Sequence, residues 1–219
     1  MKVEIWSDIA CPWCYIGKRR LDLALSRFRH HEGVDVRWRS FELDPSARAV
    51  REVAYVDHLA AKYRVGLDQA EDMIDRMIEA GAGNGVVLRF DKARPGNTFD
   101  AHRLLHLAAE RGVQHELKER LLHATFTKGS AVADHDVLVP IAEAAGLDPD
   151  EARAVLESDR YADAVRADER RADELGITSV PFFVFGGRLG VAGAQAPDLL
   201  LEVLEEAWAD EAARQAPSS

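Results

Sequence analysis

The chain has 219 residues, 47% of them apolar, enough to bury the core of one large domain or of one domain with a sizeable insertion. With 28 basic against 38 acidic side chains, its formal net charge is −10, which argues against a nucleic-acid groove or an anionic membrane surface as its main partner. No run of about 18 apolar residues is present to span a membrane. The opening "MKVEIWSDIA" enters a strand pattern with no apolar leader segment, so a cytoplasmic protein is expected.

Lys2 to Ser7 alternates, with Val3 and Ile5 on one side, and reads as a strand. From Pro12 the period becomes helical: Cys14, Gly17, Leu21, Ala24, Leu25 and Phe28 recur at three- and four-residue steps, predicting a helix that ends near His30 to Gly33. "VDVRWRSFEL" alternates again and reads as a second strand, so the chain opens β-α-β with the expected right-handed parallel crossover. Between Asp44 and Gly176 the pattern is almost wholly helical, with several segments closed by glycine. "GVVLRF" at Gly85 to Phe90 reads as either a strand or an extended connector.

Strand character returns at "VPFFVFGGRLGVAG". Phe182 to Phe185 reads as a central strand, Gly186-Gly187 as a hairpin turn and Arg188 to Val191 as the return strand. Pro197 suits the first turn of a last helix with Leu200, Val203, Leu204, Ala207 and Trp208 on its buried face. The order β-α-β, helices, β-β-α is the thioredoxin arrangement, an α/β fold, once the helix over 161–175 supplies the missing element. The expected organisation is a thioredoxin-like domain from 1–43 and 177–212, a helical insertion over 44–160, and a frayed tail over 213–219.

Cys11 and Cys14 are the only cysteines. A structural zinc site needs about four ligands, and no second pair completes one. His102, His106 and Glu110 share a helix face, but such spacing more often marks a surface, so no metal is expected. A structural bridge closing so small a loop would stabilise little by chain entropy. A C-x-x-C beside a β-α-β pattern reads as a redox couple. Cys11 falls where the strand gives way to the helix, with Pro12 at the first helical position and the positive end of the helix dipole at its sulfur. A lowered Cys11 pKa and an exposed, attacking Cys11 are therefore expected, with Cys14 buried behind it as the resolving thiol. Pro12 and Trp13 stand between the sulfurs, where they should influence the reduction potential.

"SDIACPWCYIGKRRL", "NTFDAHRLLHLA" and "GITSVPFFVFGGRLGVAGAQ" together resemble the cytoplasmic FrnE-like branch of the DsbA family of thiol–disulfide oxidoreductases, and the order of the helical segments extends the resemblance over nearly the whole chain. The resemblance implies a thioredoxin fold with a helical insertion and exchange chemistry at Cys11 and Cys14. It also implies a cis Pro181 facing the pair and a Val180 backbone that pairs with an extended substrate. Its implied partners are protein or small-molecule thiols and disulfides, in a monomer or homodimer without a cofactor, with glutathione open as substrate or reductant. Two departures matter. The second cysteine pair that some FrnE-like proteins carry is missing. The neighbouring kappa-class glutathione transferases and 2-hydroxychromene-2-carboxylate isomerases usually have serine where Cys11 stands, which weighs toward redox chemistry over glutathione-dependent isomerisation or a non-catalytic redox sensor.

Around the pair, Asp8 is read first as a hydrogen-bonding residue of the loop and second as a proton relay. Lys18 and Arg19 are expected to be solvated. Asn97, with Asp100 three residues on, reads as a helix start. His102 flanks the Ala101/Leu104/Leu105/Ala108 stripe and is expected at the rim of the packing, lining the cleft if the resemblance holds.

Overall fold

A computed structural model describes residues 1–49 and 52–215. Strands β1 (Lys2–Ser7), β2 (Asp35–Ser40), β3 (Phe182–Phe185) and β4 (Leu189–Ala192) form one sheet in the order β2-β1-β3-β4. β1 pairs parallel with β2 and antiparallel with β3, and β3 pairs antiparallel with β4. The parallel crossover is helix α1 (Pro12–Arg27), and the hairpin turn is Gly186-Gly187, both residues at positive φ. The last helix, here called α9 (Pro197–Gln215), packs on α1 and β3. Val3, Ile5, Leu21, Phe28, Trp38, Phe183, Phe185 and Leu204 fill the core between sheet and helices.

Between β2 and β3 lie α2 (Tyr55–Tyr63), α3 (Leu67–Ala82), α4 (Phe99–Glu110), α5 (Gln114–His123), α6 (His135–Ala144), α7 (Pro149–Leu156) and α8 (Ala162–Glu174). A π-helical turn, Ala124–Lys128, continues α5. α8 lies against β2, and Trp6 of β1 donates its indole N–H to the Asp168 carbonyl at 2.9 Å.

Several boundaries differ from the sequence reading. α1 stops at Arg27; Phe28 leaves the helix with extended backbone and donates to Leu25, and a short 3-10 turn over His31–Gly33 finishes the connection. "GVVLRF" is the extended connector of the two readings, anchored where the Arg89 N–H meets the Phe126 carbonyl at 2.8 Å. α9 runs through Ala213–Gln215, where a frayed tail was expected. The rest of that expected tail, 216–219, lies outside the described residues.

The helices are not an appendage. Their packing forms two further cores, and each takes in residues flanking the cysteine pair. Ile9 is buried in the core of α4–α7. Tyr15 and Ile16 are buried in the core of α2, α3 and the π-turn. Fully burying one such side chain is worth about 1.5–3 kcal/mol. The segment between them, Ala10 to Cys14, is thereby gripped from both sides by the insertion.

Candidate active site

β1 ends at Ser7, and the loop Asp8–Ala10 turns the chain into α1. Pro12 occupies its first turn, where a missing N–H removes no intrahelical bond. Cys11 is the N-cap, with extended backbone, and no side chain caps the helix there. The sulfurs therefore sit one turn apart at the positive end of the α1 dipole. Both are free thiols; Cys14 is fully enclosed and Cys11 is 5% exposed. The expected exposed Cys11 is thus corrected: insertion and sheet close over it, and only its edge reaches a cleft.

That cleft has a volume of about 470 Å³. Cys11, Pro12 and Trp13 line one wall, and Tyr55, Leu59 and Met77 of α2 and α3 line the other. Trp13 is 38% exposed and stands at its mouth. The loop before β3 approaches Cys11 as well. The Val180–Pro181 bond is cis, and the Cys11 thiol donates to the Val180 carbonyl oxygen at 3.6 Å. Gly17, one turn beyond Cys14, makes this approach feasible: a Cβ there would stand 2.9 Å from Pro181 Cγ.

Charge around the pair does not follow the simple dipole argument. The two thiols influence each other strongly, so loss of the first proton belongs to both. Burial by itself would raise Cys14, but the Cys11 thiol and the Lys118 ammonium overcome it and hold Cys14 below the ordinary thiol range. Cys11 is pushed well above that range by its bond to Cys14, by burial and by the charge of a Cys14 thiolate. Against the expectation of a lowered Cys11 pKa, the neighbouring Cys14 and burial push the Cys11 thiol up.

Asp8 is buried and serves as the knot of the loop. Its carboxylate accepts from Ala10 N–H (3.2 Å), Leu43 N–H (2.8 Å) and the Thr98 hydroxyl (2.8 Å). Burial would raise it, yet these donors and His102 keep it below the usual carboxylate range. His102 is not at a rim: it is fully buried on α4, with Nε2 3.4 Å from Asp8 Oδ1 and Nδ1 without a hydrogen-bond partner. Burial pulls its pKa down, so the imidazole is neutral. It meets Asp8 behind the pair and is not among the residues lining the cleft. His106 faces Ser40 and Asp168, and among the described residues no group of three His, Cys, Asp or Glu is placed to hold a metal.

Asn97 accepts from the Phe99 N–H at 3.0 Å and so helps to start α4; Asp100 turns instead to Arg103 and His135, both at 2.7 Å. Lys18 is not solvated. Its side chain is buried in α1 and its ammonium pairs with Asp22 at 2.9 Å and Glu119 at 3.0 Å; Arg19, more exposed, joins Glu119 at 2.7 Å.

Sequence reasoning passed over Lys118 altogether. It lies on α5, is fully buried, and donates to the Ser7 carbonyl at 3.4 Å. Burial pulls its ammonium down to about 8, against the opposing pull of Cys14, Asp8 and Cys11. The signal was available: Gln114, Leu117, Lys118, Leu121 and Leu122 make one helical stripe, and all five are buried. A lysine inside an apolar stripe is rarely enclosed without a partner.

Comparison with known proteins agrees with this architecture. A family model described as a DSBA-like thioredoxin domain matches residues 2–205. The fold is similar to that of a probable DsbA oxidoreductase, SCO1869 from Streptomyces coelicolor, at 44% identity and a TM-score of 0.91, covering 100% of this chain and 93% of that one. The same fold occurs in a 2-hydroxychromene-2-carboxylate isomerase (16% identity, TM-score 0.71, 99% and 100% coverage). It occurs again in the cytosolic disulfide reductase DsbM from Pseudomonas aeruginosa, solved with GSH (18% identity, TM-score 0.68, 95% and 100% coverage).

Proposed function

The chain belongs to the DSBA-like thioredoxin domain family, and from that premise we propose that it is a thiol–disulfide oxidoreductase in which Cys11 attacks and Cys14 resolves. The observation that carries this reading is the asymmetry of the pair: Cys11 lines the cleft beside Trp13 and the Val180 carbonyl, whereas Cys14 is sealed behind it.

The reaction begins with loss of the Cys11 proton, which forms the attacking thiolate. The Cys11 thiolate attacks one sulfur of a substrate disulfide; a mixed disulfide forms and the first substrate thiolate leaves. Cys14 gives up its proton and attacks Cys11 Sγ, the Cys11–Cys14 bond forms, the second substrate thiolate leaves, and the two departing thiolates take up the two protons. Two protein thiols are oxidised and one disulfide is reduced to two thiols. Run backwards, the same steps oxidise a substrate dithiol. Pro12 and Trp13 shape the cleft mouth, and the Val180 backbone beside Pro181 pairs with an extended substrate segment. His102 holds the loop from behind and Asn97 holds the start of α4, whereas Asp8, which also ties down the loop, lines the cleft.

The fold shared with a disulfide reductase solved with GSH favours glutathione as the reductant in a cytoplasmic setting, with no cofactor. Among the described residues no helix is long and apolar enough to cross a membrane. Insulin reduction driven by glutathione tests the reading. Turnover by the native protein and its loss in Cys11→Ser are expected. Saturable glutathione binding with no exchange of any disulfide would replace the reading by the isomerase-like one.

A further inference from the structure

The cleft that opens on Cys11 has a further side, the segment from Leu43 to Ala49 that follows β2, of which Leu43, Asp44 and Ala47 line the cavity. This segment contains no helix or strand. Three consecutive residues before α4 hold it in place. The Thr98 hydroxyl donates to Asp8 Oδ1 at 2.8 Å, and Asp8 Oδ2 accepts from the Leu43 N–H at 2.8 Å, which fixes the start of the segment. Asn97 fixes the remainder: its backbone N–H donates to the Arg48 carbonyl at 2.9 Å, and its Nδ2 donates to the Pro45 carbonyl at 3.4 Å. Gly96 lets Ala49 seat, because a Cβ there would overlap the Ala49 carbonyl oxygen and stand 2.7 Å from that of Arg48. Gly96 and Thr98 line the same cavity.

The held segment limits what reaches the sulfur. Cys11 is 5% exposed, and the cleft into which its edge opens, about 470 Å³, is of the size that encloses a small ligand. Attack requires Cys11 Sγ in line with the substrate S–S bond, so both substrate sulfurs and the atoms next to them must enter. A small disulfide fits. A disulfide on a folded surface brings neighbouring backbone with it, and that backbone meets the segment 43–49 first. Resting on the reading of Cys11 and Cys14 as an exchange couple, we infer that Gly96-Asn97-Thr98 is a clasp that holds residues 43–49 as a size filter, and that the substrates so favoured are low-molecular-weight disulfides over disulfides of folded proteins. The filter ranks substrates: insulin is turned over, but more slowly than a small disulfide.

Two probes with the same thiol test this: bis(2-hydroxyethyl) disulfide, and the mixed disulfide of 2-mercaptoethanol with an exposed cysteine of a folded carrier protein. In each reaction the Cys11–Cys14 bond forms, the probe disulfide is reduced to two thiols, and the two protons pass from the protein thiols to the products. Loss of the protein dithiol is followed by acid quenching and intact-mass spectrometry, and the ratio of the two rates is divided by the same ratio for dithiothreitol, which has no cleft. The native protein is expected to prefer the small probe by about tenfold or more; a corrected ratio near one would overturn the inference. Asn97→Asp keeps the oxygen that accepts from the Phe99 N–H and removes the donor to Pro45, and Gly96→Ala unseats Ala49. Each is expected to lower the corrected ratio by about threefold or more, and a ratio unchanged in both would overturn the clasp. Where neither variant folds, the ratio for the native protein decides. Exchange with neither probe would remove the exchange reading and the filter together, whereas equal exchange with both would remove the filter alone.

Discussion

The side-chain amide of Gln114 is bonded to both backbone groups of Trp38: its oxygen accepts from the Trp38 N–H and its nitrogen donates to the Trp38 carbonyl, each at 2.9 Å. Trp38 lies in β2, at an edge of the sheet, and Gln114 opens α5 of the insertion. The amide does for Trp38 what a neighbouring strand would do. Two residues on, Asp168 accepts from the Ser40 N–H at 2.9 Å. The edge of β2 is thus occupied by side chains of α5 and α8, which limits pairing with another chain and registers α5 against the sheet. Gln114→Ala should destabilise the protein by about 1–3 kcal/mol, the cost of leaving buried backbone groups without partners. Urea denaturation would show this as a lower midpoint at unchanged slope.

Cys14→Ser should retain attack by Cys11 and lose resolution. Incubated with a model peptide disulfide, this variant is expected to accumulate a one-to-one mixed disulfide through Cys11, visible by intact-mass spectrometry and reversed by a thiol. Cys11→Ser should give no adduct. An adduct on Cys14 in that variant would reverse the assigned roles.

Gly17→Ala probes the gap between α1 and the loop before β3. The added Cβ would stand 2.9 Å from Pro181 Cγ, closer than such contacts allow, and the ring has little freedom to yield. Overpacking of this kind costs about 1–3 kcal/mol. Displacing the Val180 carbonyl from Cys11 should slow exchange by about 10- to 100-fold. A stability loss with unchanged exchange kinetics would separate the wall from the chemistry.

Glu42, directly after β2, supplies a pH signature. Burial, first, and the nearby charge of Glu169 push its carboxyl up to about 7, although Arg166 donates to it at 2.7 Å. Its other oxygen is buried without a hydrogen-bond partner. A carboxyl raised in the folded state binds protons more tightly there than in the unfolded chain. Its contribution to stability is therefore greatest below about 4.5, declines as pH rises to about 7, and is flat above that. The decline amounts to at most about 3 kcal/mol. Glu42→Gln should remove it, so the stability difference between variant and native protein grows in favour of the variant from pH 4.5 to 7.

Much of the fold was legible because its signals are local. Pro12 marks the start of α1, Gly186-Gly187 marks the hairpin, and the alternation in "VDVRWRS" marks β2. The cysteine spacing and the S-V-P-F-F block pointed to the two segments that meet at Cys11. The rest depended on what lies across a tertiary interface, which periodicity does not report. His102 and Lys18 each stand beside an apolar stripe, and a helical wheel places them at its rim. Packing of the insertion on the β1–α1 segment buries both and supplies their partners, Asp8 of the loop for the first and Glu119 of α5 for the second. The electrostatic surroundings of the dithiol were incompletely legible for the same reason. A helix dipole is visible in the sequence, but a lysine reaching the pair from more than a hundred residues away is not.

The position of β1 between β2 and β3 also bears on how the protein is made. β1 and the cysteine pair emerge from the ribosome first, whereas the Val180–Pro181 wall and β3 emerge near the end. At about 5–20 residues per second, the pair waits on the order of ten seconds or more for its second neighbour. Throughout that interval the thiols lack the enclosure that sets their reactivity. Chains interrupted before β3 therefore carry the cysteine pair without the Val180–Pro181 segment that faces Cys11 in the finished fold.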